Sequence, residues 1–227
     1  MVAMILAAGR GQRLRPITDS MQKAMVQVGG ISLLEQHLQR LAAAGIETVV
    51  INLGWLGEKI VTAVGSGRRF GLNVVYSPEY DHVLDTGGGI RRALAIIGRA
   101  PFWVINADIH TDIALPKIKL DADSLAHLVL VPTPAHKATG DFELRDGKIR
   151  NSAQPDLTFS GMAFYRPDMF DHADGGRFSV VPLLRAAADR GQIEGSLFAG
   201  DWHDVGTPER LAALNAFAIR GEHKIRG

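Results

Sequence analysis

The sequence predicts an α/β fold: a mostly parallel sheet covered by helices on both faces, with a β-rich addition in the second half. Three observations predict it. Short apolar runs alternate with helical patterns through the first half of the chain. Apolar strands that alternate with helices build sheets buried on both faces. After about residue 132 the pattern changes to a hairpin and extended segments, so the second half adds strands of another kind.

The strands of the first half are expected at "AMILAA" (3–8), "TVVIN" (48–52), "NVVYS" (73–77), "FWVIN" (102–106) and "HLVLV" (127–131). Helices lie between them. Ser32 and Glu35 form a capping box ahead of "LLEQHLQRLAAAG", which Gly45 ends. "LGEKIVTAV" (56–64) and "IRRALAII" (90–97) carry apolar residues at helical spacing. Beyond these, "GDFELRDGKIRNS" (140–152) reads as a hairpin turning at Asp146-Gly147, and "TFSGMAFY" (158–165) as a strand. "VVPLLRAAADRG" (180–191) is a helix stopped by glycine, and "GSLFAGDWHDVG" (195–206) is extended. Thr207 caps a last helix with Pro208 in its first turn, and the tail 220–227 is expected to fray.

Composition narrows the chemistry. The chain has 227 residues, 46% of them hydrophobic, enough for one substantial core. With 25 basic and 24 acidic residues it lacks the general field that nucleic acid or an anionic membrane would need, so any anion site must be local. Absence of cysteine removes disulfides, thiolate metal sites and cysteine nucleophiles together. No segment approaches the roughly 20 apolar residues of a membrane span. A soluble, cytoplasmic, single-domain protein without nucleic-acid or membrane partners is expected.

In open α/β sheets ligands sit beyond the carboxyl ends of the strands, and the notable residues follow the strands. "ILAAGRGQRLRP" (5–16) breaks from a strand into glycines and arginines. Backbone N–H groups can approach an anion at Gly9 and Gly11, and arginine forks suit phosphate oxygens. Leu14 stands where a dinucleotide fingerprint needs its third glycine, which disfavours a nicotinamide dehydrogenase. Lys23 follows in a polar loop. Asp108 ends "FWVINAD", and Asp204 lies in "DWHDVGTPERL". The two acids could together hold magnesium, which typically uses one or two carboxylates and takes its other ligands from phosphates and water. Asp112 and His110 follow Asp108, at a spacing too wide for a D-x-D pair. Three glycines in "LDTGGGIRRAL" precede a helix, where they could receive an anion or pass close to a flat base.

Together these pieces resemble the sugar nucleotidyltransferases, which join a nucleoside triphosphate to a sugar 1-phosphate and release pyrophosphate. That family opens with L-[AG]-G-x-G-[ST]-R-[LM]-x-P, follows with P-K-P, and carries a strand-end G-D and a late V-D-[VI]-G-T. Here these stand as "LAAGRGQRLRP", "QKA", "AD" and "HDVGT", in order over residues 2 to about 215. Within the family, "LDTGGGI", "VINADIHTD", "TGDF", "TFSGMAFYRPDMF", "VPLLRAA" and "WHDVGTPERL" are similar to the uridylyltransferases of N-acetylmuramate 1-phosphate in peptidoglycan recycling. Much of the pattern is common to mannose-1-phosphate guanylyltransferases, while "LAAG" favours UTP.

The resemblance implies a Rossmann-like three-layer fold with a mixed, mostly parallel sheet, as in nucleotide-diphospho-sugar transferases. One domain over 1–227 would comprise a nucleotide-binding half (about 1–132), a sugar-phosphate-binding portion (about 133–206), and a C-terminal helix and tail (207–227). It implies that Leu6, Ala7, Ala8, Gly9, Gly11, Gln12 and Arg13 hold base and triphosphate, with Lys23 on the phosphates. Gly87 and Gly88 would border base and sugar, and Asn106 would touch the nucleotide. Asp108 and Asp204 would bind Mg2+. Asp141, Ser160 and Gly161 would line the sugar-phosphate pocket, and Arg13, Lys23 and Asp108 would be catalytic. The implied partners are UTP or another nucleoside triphosphate, a sugar 1-phosphate and product pyrophosphate, on a monomer or small homo-oligomer.

The sequence departs from the family pattern at Gln12 for Thr or Ser and at Ala107 for glycine. Gln22 and Ala24 replace the two prolines, and Ser179 stands where close relatives often carry lysine. Loss of the prolines is expected to loosen the Lys23 loop. The departures also keep open a nucleotide-sugar-binding regulator that has lost catalysis.

Overall fold

The computed structural model describes residues 1–80 and 82–219; the tail expected to fray, 220–227, lies outside them. Strand β1 (Val2–Leu6) opens into a Gly-Arg loop and the single turn α1 (Ile17–Ser20). A two-residue ribbon, β2 (Gln27–Val28) with β3 (Ile31–Ser32), leads into α2 (Leu33–Ala43). Ser32 caps that helix, its Oγ accepting the Glu35 N–H at 3.2 Å and donating to Glu35 Oε2 at 2.9 Å. β4 (Thr48–Leu53), α3 (Gly57–Val64), β5 (Asn73–Pro78), α4 (Asp85–Ile97) and β6 (Phe102–Asn106) follow, then the short β7 (Ile109–Thr111) and the longer β8 (Ala126–Pro132).

In the second half, β9 (Glu143–Arg145) and β10 (Lys148–Arg150) form the expected hairpin, with Asp146 and Gly147 both at positive φ. β11 (Leu157–Tyr165), α5 (Val181–Asp189), β12 (Ile193–Leu197), β13 (Trp202–Asp204) and α6 (Pro208–Ile219) complete the described chain. Among the described residues no helix is long and apolar enough to cross a membrane.

Two expectations needed redrawing. The helix expected at 90–97 begins at Asp85, so all three glycines lie inside it. The extended stretch 195–206 divides at 198–201: β12 joins the large sheet and β13 pairs with β7.

Nine strands form one sheet in the order β5-β4-β1-β6-β11-β8-β12-β10-β9. The four strands from β5 to β6 are parallel, whereas β11 runs antiparallel to both β6 and β8. The period-2 alternation of β1 shows in its burial. Ala3 and Ile5 pack with Leu34, Leu38 and Leu41 of α2 and Ile60 of α3, while Met4 packs with Ile90 and Ala93 of α4. A third cluster of Leu14, Val26, Val28, Leu33, Val205 and Leu214 ties the Gly-Arg loop to the small ribbon and to α6.

The sheet order places β1 between strands reached in opposite directions, β4 on one side and β6 on the other. That is a topological switch point, where the connecting loops diverge and leave a crevice at the carboxyl ends.

His37 of α2 is fully buried beneath this region. Burial, reinforced by the positive charge of Arg40, lowers its pKa from 6.5 to about 3. The unfolded chain therefore takes up a proton there that the folded chain refuses. The contribution of neutral His37 is complete above pH 6.5 and is lost as pH falls toward 3, at up to about 1.4 kcal/mol per pH unit. Denaturant unfolding at pH 7 and pH 5 should show that loss, and His37→Gln should reduce the difference between the two. An unchanged difference would remove His37 as its source.

Candidate active site

Two strand-end acids stand on neighbouring backbones near the crevice. Asp108 follows β6, and Asp204 ends β13, which pairs with β7 so that Asp204 lies opposite Ile109. The Val205 N–H donates to the Asp108 carbonyl at 2.8 Å, which fixes the two backbones side by side. The β7–β13 ribbon is braced from below. Arg40 Nη2 donates to the Thr111 carbonyl, His110 Nδ1 lies 2.7 Å from Gln36 Oε1, and Trp202 Nε1 donates to the Ser160 carbonyl at 2.9 Å.

Lys23 Nζ donates to Asp108 Oδ2 at 2.5 Å, with the lysine side chain mostly buried. This ion pair, with Leu6, Ala7, Gly9, Gln22, Ala24 and Ala107, lines a small recess of about 40 Å³. The loosening expected from the lost prolines is countered by Gln22, which is 1% exposed. Its Nε2 donates to the Ala7 carbonyl and its Oε1 accepts the Ala24 N–H at 2.5 Å. Those bonds tie the lysine loop to the Gly-Arg loop by a different means from proline's fixed φ.

The three arginines of the first loop have different employments. Arg10 stacks over the Trp55 ring at 4.2 Å, and Arg15 pairs with Asp19 at 3.0 Å. Arg13 is exposed and has no described ion pair, which leaves its guanidinium available to a ligand. Gly11 is left-handed, with its carbonyl accepting the Thr18 hydroxyl, and Gln12 is exposed.

Two adjoining clefts lie beside this recess. The first, about 340 Å³, is lined by Leu6, Ala8, Gly9, Asn52, Glu79, Val83, Asp85, Thr86, Asn106 and Arg177. The second, about 150 Å³, has Leu6, Asp85, Thr86 and Asn106 in common with it and adds Phe159, Gly161, Tyr165, Ser179 and Val181 among its walls. Gly161 sits at the bulge of β11 with φ +84°, and a Cβ there would lie 2.7 Å from Asn106 Nδ2. The glycine lets the Asn106 amide fill the corner between the clefts.

The remaining candidates are occupied by their own chain. Gly87 and Gly88 are buried, and both N–H groups donate to the Phe178 carbonyl, at 2.9 and 3.1 Å. A Cβ would meet the Phe178 ring at 2.3 Å from Gly87 and the Gly176 carbonyl oxygen at 2.2 Å from Gly88. Both glycines therefore seat the segment 176–178 on α4. Asp141 accepts both ends of a grip from Lys137, at 3.0 and 2.9 Å, and the Phe159 N–H at 3.0 Å. Ser160 is fully buried, its hydroxyl accepting the Met162 N–H at 3.2 Å. Leu6, Ala7, Ala8, Gly9, Lys23, Asn106, Asp108 and Gly161 thus line the recess and the two clefts, whereas Asp204 lines a separate cleft of about 330 Å³ with Pro134, His136, Trp202 and Arg210, and half-buried Asp141 and buried Ser160 line none of the four.

Four side chains near the site were not legible as candidates in the sequence. Arg210 Nη1 donates to Asp204 Oδ2, and His136 Nε2 stands 3.1 Å from Oδ1. An arginine in the first turn of a capped helix just after the acid was the available signal. Glu79 is buried with Asn52 beneath the Gly-Arg loop, and its signal was an acid just past an apolar strand. Arg177 had none, because its loop finds the crevice only in three dimensions.

Oxygen donors from two carboxylates suit a hard cation such as Mg2+. Asp204 Oδ1 is buried and makes no hydrogen bond, its near neighbour being His136 Nε2 at 3.1 Å, so a cation bound there would compete with that imidazole. Among the described residues no group of three or more His, Cys, Asp or Glu side chains forms a ready-made cage. Magnesium would thus draw its remaining ligands from phosphate and water.

The profile of the family described as "Nucleotidyl transferase" matches residues 2–144. The N-acetylmuramate alpha-1-phosphate uridylyltransferase of Neisseria meningitidis serogroup B is 44% identical, covering 96% of this chain and 98% of that protein. The enzyme of the same name from Caulobacter vibrioides is 32% identical over 95% and 96%. Among solved structures, a UDP-glucose pyrophosphorylase complexed with UDP-glucose superposes with a TM-score of 0.76 at 20% identity, covering 98% and 99% of the two chains. At that identity the likeness speaks for the fold, and it extends along the whole sheet.

Proposed function

Because the chain belongs to the nucleotidyl transferase family, we propose that it joins UTP to N-acetylmuramate 1-phosphate, giving the UDP-sugar and pyrophosphate, as a step of peptidoglycan recycling. The observation that carries this reading is the end-to-end likeness to two uridylyltransferases of that sugar phosphate. The geometry supplies the means. A recess with a lysine, an acid and a glycine loop opens into two adjoining clefts, one large enough for a nucleoside and the other beside it for a sugar.

The reaction is an in-line attack by a sugar 1-phosphate oxygen on the α-phosphorus of UTP. A phosphate monoester has a second pKa of about 6, so near neutrality the nucleophile is already largely dianionic and needs no general base. The protein's work is therefore positioning and charge neutralisation. Gly9 leaves open space on the cleft wall, with nothing within 4 Å of where a Cβ would stand. Phosphates can approach the backbone there. Arg13 and Lys23 offset the charge that gathers on the departing pyrophosphate. Asp108 and Asp204 would hold Mg2+, which when bound neutralises phosphate oxygens as a Lewis acid. Arg210 keeps one oxygen of Asp204 occupied, and with it the orientation of the carboxylate.

Pyrophosphate release tests the proposal directly. UTP, GTP and dTTP would each be offered with the 1-phosphates of N-acetylmuramate, N-acetylglucosamine, mannose and glucose, with and without magnesium. UTP with N-acetylmuramate 1-phosphate should be the best pair, and turnover should stop under chelation. A best pair of GTP and mannose 1-phosphate would replace it with a guanylyltransferase. Saturable UTP binding without pyrophosphate would mean a binding protein.

Arg210→Ala should lower kcat/KM by roughly 10- to 100-fold, the range for outer partners of metal-holding groups. Mn2+ affinity, read by paramagnetic resonance, should weaken with it. Unchanged Mn2+ affinity and rate would show that the Arg210–Asp204 pair only ties α6 to β13.

A further inference from the structure

Granted the acidic sugar proposed above, we infer that Arg177 recognises its carboxylate and so selects N-acetylmuramate 1-phosphate over neutral sugar phosphates. N-Acetylmuramate differs from N-acetylglucosamine by a lactyl ether ending in a carboxylate. That group is the one anion of the two substrates that is not a phosphate.

Charge in the site is unevenly placed. Lys23 and Asp108 line the small recess beyond β1 and β6, and Arg13 belongs to the loop above it. Arg177 lines the first cleft, which has only Leu6 and Gly9 in common with that recess. Among the described residues it is the one cation on that wall, it is exposed, and it has no described hydrogen bond or ion pair. Uracil, ribose and a neutral hexose offer such a guanidinium no anion, whereas a carboxylate takes its fork in two parallel bonds.

The loop that carries Arg177 is built into place. Two helix N–H groups donate to the Phe178 carbonyl, and the Phe178 N–H donates to the Leu84 carbonyl at 3.1 Å. Val180 N–H donates to Thr86 Oγ1 at 2.9 Å, so the segment is pinned on both sides of the clefts. Glycines at 87 and 88 are what permit the seat, as the collisions of a Cβ with Phe178 and Gly176 show. Three glycines in the first turns of a helix weaken it, and here their return is a fixed loop. Arg177 and Ser179, two residues apart, then face the first and second clefts respectively. The arginine stands at the junction where a substituent of the sugar meets the nucleotide cleft.

The acids on the same wall sharpen the effect. Glu79 has both oxygens engaged, by Asn52 Nδ2 and the Leu84 N–H. Asp85 is exposed and lines both clefts, with Oδ1 accepting the Thr86 N–H at 2.6 Å. Glu79 and Asp85 leave the wall net negative even with Arg177 in place, so a carboxylate can be held there only by pairing directly with that guanidinium, and loss of Arg177 deepens the repulsion while a neutral sugar is indifferent to it.

The test compares wild type, Arg177→Gln and Arg177→Lys with UTP and either N-acetylmuramate or N-acetylglucosamine 1-phosphate. Wild type should prefer the acidic sugar. Arg177→Gln should lose roughly 10- to 100-fold in kcat/KM for it, as expected when a charged hydrogen-bond partner is removed. Its value for N-acetylglucosamine 1-phosphate and its KM for UTP should stay within about twofold, and Arg177→Lys should recover part of the loss. Equal losses on both sugars, a raised KM for UTP, or no loss would each overturn the role of Arg177 while leaving the uridylyltransferase standing. A wild-type enzyme that ignores N-acetylmuramate 1-phosphate would overturn both.

Discussion

Asp108→Asn should lower turnover by roughly 10²- to 10³-fold at saturating UTP and magnesium, the scale of losing a charge-stabilising group in an active site. The amide keeps the size of the side chain and removes only its charge. Lys23 then loses its anionic partner, and the pair with Asp204 can no longer present two carboxylates. The fold should survive, because Asp108 contributes to it through its backbone: its carbonyl holds the Val205 N–H whatever the side chain. The side chain itself is one-third exposed and sits at a strand end. Single-turnover rates together with thermal melting separate the two effects. Asp112→Asn is the control, since Asp112 is an exposed acid at the far end of β7. A wild-type rate in Asp108→Asn, or an equal loss in Asp112→Asn, would remove Asp108 from the chemistry.

Asn52→Ala should destabilise the protein by about 2–4 kcal/mol, without altering any group that reacts. Asn52 is buried and uses both ends of its amide. Its Oδ1 accepts the Ala7 N–H at 2.6 Å, and its Nδ2 donates to Glu79 Oε1 at 2.8 Å. Truncation strands a buried N–H at the head of the Gly-Arg loop and leaves one oxygen of a buried carboxylate without its donor. Buried groups left unpaired lose their desolvation cost in full, more so when charged. Packing is tight as well, since a Cβ on Gly89 would lie 2.7 Å from Glu79 Oε1 and 2.9 Å from Asn52 Nδ2. For a chain of this size the loss corresponds to a fall in Tm of roughly 6–12 °C. A double-mutant cycle with Glu79→Gln should show coupling of about 1 kcal/mol or more. A loss under about 0.5 kcal/mol would mean that water replaces the amide.

How much of this was legible beforehand depends on the range of the interaction. Strands such as "FWVIN" and the capping box at Ser32 are written in local periodicity and in a three-residue spacing, and both stand where expected. Asp108 was visible because strand ends in a parallel sheet converge, while Asp204, at the end of a separate antiparallel ribbon, was visible through the motif around it. Gly87 and Gly88 were visible as unusual, yet whatever they border in a complex, their neighbours are Phe178 and Gly176, about ninety residues away, which no local pattern encodes. The start of α4 was missed for the same reason. Three glycines argue against a helix by propensity, and only the loop docked on them explains their place. Gln22 shows the opposite case. It reads as a departure from a proline pattern, while in the fold its amide makes the bonds that hold the lysine loop.

The antiparallel strand β11 has a consequence for how this enzyme could acquire new substrates. Bonded to β6 on one edge and β8 on the other, it makes the two halves one unbroken sheet, with no linker about which they could swing. Accommodation of a different sugar must then come from the peripheral segments around 133–141 and 174–179, which carry His136, Lys137 and Arg177. Changes in those segments leave the strand-end acids in place, because neither segment includes β6, β7 or β13. Change of substrate through its loops, on a sheet that stays continuous from β5 to β9, is the evolutionary path this topology leaves open.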